Sequence, residues 1–465
     1  MHCFMLSTHR ACARSGNRRA RLSWLFLLAC AILGLVDPSV RAQDQKPSAD
    51  TKPADTKPAD TKPADTKPAG AQSGDTKPAE AQQSAAAAPA GPALGTVTIS
   101  GLVDVYYGIN ARAPRSATGG PFATIVTPSG ETIGVDNVGR SFDINDREPS
   151  FSLGEVNITR TPGRGFPLGV TATLTFGDTA RIVHATEPGG TSSWQTVQQL
   201  YLTYPFRAWG RDMSVDGGIF VTPFGVEVIE SSSNDNYSRG FLFQYAIPLY
   251  HLGVRLTAPL TNQLTFAGYV VNGWNNIADD NDAKSVIAQF TWKPNARWTG
   301  ILGWMGGSEG TGAYGSGVPT GGAGNITTNL FEGQAIYQAS DKLKLAAWVD
   351  YASAAGDVNG VHLSGNWIGF AGYARYQVTP QWAVALRAEQ FEDIPGVGGV
   401  GLRLGGGYVR LREATLTLEY AALRGHLISR LEYRHDHSST AFFGADTGDI
   451  TPDQDTIYLG EVYKF

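Results

Sequence analysis

The residues best placed to act chemically are charged, and they fall into two sets. Glu227, Glu230 and Asp235 sit close together in the stretch 222–249, ahead of the bulky run Phe241-Leu242-Phe243-Gln244-Tyr245. Arg255, Arg375, Arg387, Arg430 and Arg434 are spread along the second half of the chain, each at the polar parity of an alternating segment. Carboxylates set against guanidiniums across water break no bond. They create a field that favours polar solutes over apolar ones. The competing reading is mutual neutralisation, because Glu389, Glu419 and Glu432 share the arginines' faces. Bond-making sets are scarce: no G-x-S-x-G elbow, phosphate loop or H-E-x-x-H helix occurs. His435-Asp436-His437 has the residue types of a metal site or a proteolytic dyad, against the simpler reading of solvated histidines at the start of a loop. Cys3, Cys12 and Cys30 are the only cysteines, so nothing beyond residue 30 can form a disulfide, a thiolate ligand or a thiol nucleophile. The sequence calls for no metal and no cofactor.

The elements that must position these charges are strands. From Thr96 onward polar and apolar residues alternate with period two, the pattern of strands with two unlike faces. Val97, Ile99, Val103, Val105, Tyr107 and Ile109 share one parity, and Thr98, Ser100, Asp104 and Asn110 the other. Leu200, Leu202, Tyr204 and Phe206 stand likewise against Gln199, Tyr201 and Thr203. The pattern predicts about 16 strands, from 97–110 to 456–465. Between them, short turns such as Thr161-Pro162-Gly163, Pro294-Asn295-Ala296 and Ser340-Asp341-Lys342 alternate with long loops such as 111–149, 307–328 and 437–455. Short turns at one end and long loops at the other is the plan of an outer-membrane barrel. The even count brings both ends of the barrel to the periplasmic side. Phe166, Trp209, Trp298 and Trp382 near the turns, and Trp274, Trp304 and Trp367 near the loops, are expected to form girdles at the two lipid interfaces. The composition agrees, with 17% charged residues, 10% aromatics and 56 glycines: many turns, one apolar face and one polar face.

What precedes the strands reads differently. Arg10, Arg14, Arg18, Arg19 and Arg21 lead into the apolar run Leu22 to Val36, and Val40-Arg41-Ala42 offers a cleavage site, so residues 1–42 read as a secretory signal peptide. Leu27-Leu28-Ala29-Cys30 resembles a lipoprotein box, but the apolar run continues past it. Residues 43–95 repeat Asp-Thr-Lys-Pro-Ala and then turn alanine- and proline-rich, which suits a disordered periplasmic linker. Such a tail is either an inert spacer or a tether whose lysines touch the cell wall. The barrel itself is expected over 96–465.

The end of the chain carries a more specific signal. Tyr458-Leu459-Gly460-Glu461-Val462-Tyr463-Lys464-Phe465 resembles the C-terminal strand that the barrel-assembly machinery recognises. Tyr458, Gly460, Tyr463 and Phe465 carry that resemblance, while Glu461 departs from it and is expected near the periplasmic rim. Gly217-Gly218-Ile219-Phe220-Val221-Thr222-Pro223-Phe224-Gly225-Val226-Glu227, Asn236-Tyr237-Ser238-Arg239-Gly240 and Val270-Val271-Asn272-Gly273-Trp274-Asn275 are similar to the OmpL-like β-barrel porin family. That resemblance covers about 96–465 and implies a passive channel in the outer membrane.

On this plan the stretch 222–249 is the third long loop, and in sixteen-stranded porins that loop commonly folds inward and sets the pore size. Glu227, Glu230 and Asp235 would then face Arg255, Arg387, Arg430 and Arg434 at a constriction. From residue 96 there are 25 basic and 34 acidic residues, a net of −9, which points mildly to cations. The expected function is passive diffusion of small polar solutes and ions, with no nucleic-acid partner and no indication of oligomeric state. An adhesin or receptor barrel using its long loops, or a barrel protease or phospholipase, is the alternative. Liposome swelling separates these classes, because only a porin makes vesicles permeable without turnover or partner.

Overall fold

The computed structural model describes residues 95–114, 124–127, 130–187, 190–309, 324–358, 361–394 and 407–465. The signal and repeat segments expected over 1–42 and 43–95 lie outside this set, apart from Gly95. Sixteen strands form one closed antiparallel barrel. In chain order the first eight are β1 (Val97–Asn110), β2 (Pro149–Arg160), β3 (Gly169–Phe176), β4 (Val197–Ala208), β5 (Arg211–Val221), β6 (Tyr250–Pro259), β7 (Leu264–Val271) and β8 (Ser285–Asn295). The second eight are β9 (Trp298–Glu309), β10 (Gly324–Gln338), β11 (Leu343–Val358), β12 (Val361–Gln377), β13 (Trp382–Ile394), β14 (Val409–Ala422), β15 (Leu427–Ser438) and β16 (Asp453–Lys464). Each strand pairs with its neighbours in sequence, and β16 returns to β1. Closure leaves no backbone edge to face lipid, where an unpaired amide or carbonyl is costly.

The alternation read from sequence determines which face is which. Val97, Ile99, Val103, Leu200, Leu202 and Tyr204 project outward and are exposed, while Asp104, Asn110 and Gln199 on the other parity are buried. An apolar exterior of this extent suits hydrocarbon and would be a liability in water. All sixteen expected strands are present. The ladders of β10 to β12 run further toward the long loops than expected, reaching Val358↔Val361, because small residues there blur the alternation without breaking the pairing.

The aromatic girdle at the short-turn end forms as expected. Trp209 is 88% exposed, Trp298 stacks on Tyr337 at 4.3 Å, and Trp382 lies against Tyr420 at 4.7 Å. At the long-loop end the expectation needs correction. Trp304 faces outward, but Trp274 and Trp367 point into the barrel and meet edge to face at 6.0 Å. Trp367 has luminal parity, and proximity to a loop alone does not specify a face.

The terminal motif divides between the two faces. Tyr458 and Gly460 face the lumen, and Tyr463 faces lipid. The Tyr458 hydroxyl accepts from Asn137 Nδ2 at 2.8 Å and donates to the Asp143 carbonyl at 3.1 Å. Phe465 closes the seam: its N–H donates to the Gly101 carbonyl at 3.0 Å, and the Gly101 N–H donates to the Phe465 carbonyl at 3.1 Å. Its ring covers Gly101, where a Cβ would approach it to 2.6 Å. Glu461 faces outward a few residues from the chain end and accepts from Ser429 Oγ at 2.6 Å. Deleting Phe465 is expected to reduce the heat-modifiable barrel recovered in outer membranes several-fold while export continues. Fractionation with gel-shift detection checks this, and wild-type levels of folded barrel would refute it.

Candidate constriction site

Residues 222–249 leave β5 at the long-loop end and turn into the barrel rather than over it. Their path is drawn by backbone groups that need partners inside and by wall charges that need the same. Glu332 on β10 accepts the Gly225 N–H at 2.5 Å, and Gln289 on β8 donates to the Pro223 carbonyl at 2.8 Å. Glu432 on β15 accepts the N–H groups of Tyr237 and Ser238 at 2.6 and 2.9 Å. Asp104 on β1 accepts Ser231 Oγ at 2.5 Å and the Tyr237 hydroxyl at 2.9 Å. A short helix follows, α3 (Phe241–Tyr245), after α1 (Asp178–Val183) and α2 (Thr191–Trp194) in the preceding loop. Glu389 on β13 accepts the N–H groups of Phe241 and Leu242, which have no partner within the helix. Phe241, Leu242 and Phe243 are buried against the wall while Gln244 and Tyr245 are half-buried, so one side of the run packs on the barrel interior.

The predicted charges are brought together unequally. Arg387 is the hub. It holds Glu227 at 2.5 Å and Glu413 at 2.8 Å, and donates to the Ser238 carbonyl at 2.6 Å. Arg430 holds Glu419 at 2.7 Å and donates to the carbonyls of Ser231 and Asn234 at 2.5 and 2.7 Å. Arg434 holds Asp436 at 2.6 Å and donates to the Arg239 carbonyl at 2.6 Å. Asp235 pairs with Lys344 at 2.5 Å and lies 3.9 Å from Arg375. Arg255 is elsewhere. It pairs with Asp216 at 2.7 Å and lies 5.2 to 5.9 Å from the rings of Phe220, Tyr201 and Tyr269.

The expected field across water is therefore not made by Glu227 and Arg387, which are 3% and 2% exposed and bonded to each other. Their separation collapsed because the loop crosses to the β13–β15 wall instead of halting opposite it. Glu230 is different: it is half-buried and accepts from the neutral Gln198 Nε2 at 2.6 Å.

Several members of the cluster escape a sequence reading. Arg140 reaches from the first long loop to Asp436 at 2.9 Å and Asp143 at 3.3 Å. Asp104 was legible as the one charge at the polar parity of β1, but nothing in the pattern showed that a loop would cap it. His435-Asp436-His437 does not assemble as a dyad. Strand alternation sends Asp436 inward to Arg434 and Arg140, while His435 and His437 face outward and pair with Asp455 at 2.9 Å and Asp453 at 2.7 Å.

The neighbouring loops add a pH-sensitive tie. Glu187 accepts from the Tyr250 hydroxyl at 2.8 Å and from the Ile277 and Ala278 N–H groups at 2.9 and 2.8 Å, joining the loop after β3 to that after β7. His184 lies beside it, 4.4 Å from the Tyr250 ring, and burial lowers its pKa to about 4. A released loop would bind that proton near pH 6.5, so the packed form loses stability as pH falls from about 6.5 toward 4, by roughly 3 kcal/mol in all. Protection factors in 177–187, corrected for the intrinsic pH dependence of amide exchange, are expected to fall at pH 4.5 relative to pH 7.5, and His184→Phe should abolish the difference. Equal protection at both pH values would contradict this.

The family comparison settles what kind of barrel holds this site: residues 96–465 match the family model described as "Putative beta-barrel porin-2, OmpL-like". The chain belongs to this OmpL-like porin family. No curated protein matches it. Among solved structures, the porin is similar to the outer-membrane channel DcaP of Acinetobacter baumannii, with TM-score 0.51 and 12% identity over 81% of this chain and 99% of that one. It is also similar to the anion-selective porin of Comamonas acidovorans, with TM-score 0.50 and 10% identity over 80% of this chain and 100% of that one. At such identities the likeness is one of fold. The porin is an outer-membrane β-barrel with the architecture of a passive channel.

Proposed function

We propose that the porin passes small polar solutes and ions, and that loop 222–249 is its constriction. The observation that supports this is the loop's traverse of the lumen, held by wall charges at Asp104, Glu332, Arg387, Arg430 and Glu432. Its half-buried residues Val226, Val228, Glu230, Ser232, Ser233 and Asp235 form the water-facing side. No reaction is proposed, since the charges are held to one another and to backbone groups rather than poised at a nucleophile.

Two carboxylates that looked equivalent in sequence should behave differently. Glu230→Gln removes a water-facing charge and is expected to shift the reversal potential in a salt gradient toward anions, with little change in stability. Glu227→Gln removes a buried partner of Arg387 and is expected to lower the unfolding temperature. Planar-bilayer recording and thermal gel-shift assays check both. A Glu230 variant with unchanged selectivity, beside wild-type protein that conducts, would show that the loop's charge does not set permeation. Failure of the wild-type protein to permeabilise liposomes would refute the channel itself.

A further inference from the structure

We propose that the solutes this channel favours are uncharged polyhydroxylated molecules, the chemical class of small sugars, and that they travel along the luminal face of β1 to β6. The inference rests on the channel reading and adds a solute class to it. Across β1 to β4 one row of the ladder sets Thr98 opposite Thr159, Thr159 opposite Thr171, and Thr171 opposite Tyr201. The next row sets Ser100 opposite Asn157, and Asn157 opposite Thr173. On β5 and β6, Ser214 is opposite Thr257. The pairing places them all on the inward side of the sheet, the side of the buried Asp104, Gln199 and Asp216. Thr98 is exposed, and Ser100, Asn157, Thr159, Thr171, Ser214 and Thr257 are half-buried, so this face meets the water of the lumen.

The luminal charges of these six strands are engaged. Asp104 accepts from Ser231 and Tyr237 of the loop, Glu155 accepts from Asn157 Nδ2 at 2.5 Å, and Asp216 holds Arg255 at 2.7 Å. At the turn after β4, Arg207 lies 3.9 Å from Asp212. The wall across the ring differs: Lys344 on β11 and Arg375 on β12 are half-buried beside Asp235. Glu230 adds one negative charge at the upper edge of the hydroxyl face, where it accepts from Gln198 on β4. Ions are governed by that charge and by the far wall, and a neutral solute feels neither.

A hydroxyl both donates and accepts, and a side-chain amide carries groups of both kinds. A polyol that sheds water inside the barrel can therefore exchange its hydrogen bonds with such a wall in many orientations, with no charge to desolvate. Each threonine also sets a methyl beside its hydroxyl, which suits the mixed C–H and O–H surface of a sugar ring. Tyr201 closes the row with an apolar ring and a polar tip. The loop continues the same chemistry, since Ser232 and Ser233 are half-buried beside the tie from Ser231 to Asp104.

The test uses the full-length barrel in liposomes and in planar bilayers. Glucose should swell the liposomes faster than triglycine, a zwitterion of similar mass, and maltose should reduce the ion current reversibly and saturably. Thr159→Val with Thr171→Val nearly keeps side-chain shape and removes both hydroxyls. It should raise the maltose concentration for half reduction by roughly three- to tenfold, as the loss of net hydrogen bonds implies, with conductance in salt alone little changed. Thr299→Val, on β9 outside this face, should leave the maltose response as in wild type. Heat-modifiable mobility establishes that each variant is folded. Equal swelling by glucose and triglycine overturns the proposal, and so does a maltose response indifferent to the double valine variant. A barrel that passes salt without any maltose response overturns this inference alone, whereas one that passes neither overturns the channel reading with it.

Discussion

Arg387→Ala is expected to be the most damaging single substitution in the lumen, lowering stability by about 3–5 kcal/mol and enlarging the single-channel conductance. Removing one partner of a buried ion pair leaves the others desolvated and unpaired, which costs far more than the pair contributes. Here the orphans would be Glu227 and Glu413, together with the Ser238 carbonyl. With that hub gone, loop 222–249 loses the ties to the wall that run through Glu227 and Ser238, so larger solutes should pass. Arg387→Lys should recover only part of the loss, because an ammonium cannot reproduce the planar fork that reaches three partners at once. Thermal gel-shift and bilayer recording on the same preparations measure both effects. Unchanged conductance in a destabilised barrel would mean the loop stays put without the arginine.

Cross-linking the same loop to the wall should produce the opposite effect, and nearly as large. Leu242 on α3 packs on Gly369 of β12 so closely that a Cβ at Gly369 would lie 2.8 Å from the leucine Cγ. That suits a disulfide, whose Cβ atoms are about 3.5–4.5 Å apart. No cysteine follows Cys30 to compete for pairing. Leu242→Cys with Gly369→Cys is expected to oxidise spontaneously and to stabilise the barrel by roughly 2–4 kcal/mol, the usual range for a long closed loop. Combined with Arg387→Ala, the oxidised form should return conductance close to wild type, and dithiothreitol should raise it again. If oxidation leaves the enlarged conductance untouched, the widening does not come from this loop.

How far the sequence reaches is clear from particular residues. The barrel was legible because lipid on one side and water on the other impose a strict period of two, which sixteen strands repeat. Luminal placement of Arg387, Arg430 and Arg434 followed from the same parity. Their partners did not. Parity says that Glu227 and Arg387 point into one space, but not whether water or a direct contact separates them. That depends on the path of twenty-eight residues without a repeating pattern. Glu230 and Glu227, three positions apart, were indistinguishable for that reason. Trp274 and Trp367 misled for a related one: an aromatic near a loop is apolar enough for lipid or for the packed interior, and composition cannot choose.

The seam between β1 and β16 bears on how the molecule comes into being. Asn110 and Gln454, hydrogen-bonded across the interior at 2.8 Å, are 344 positions apart in the chain. Contacts so remote in sequence form late and slowly, since the intervening chain must be ordered before they repay its entropy. The backbone pairing that locks the seam, Gly101 with Phe465, spans a comparably long stretch of chain. The barrel therefore cannot close before β16 has been made, whatever its early hairpins do. A newly made chain must persist with its apolar faces uncovered until its last strand is available to pair with β1.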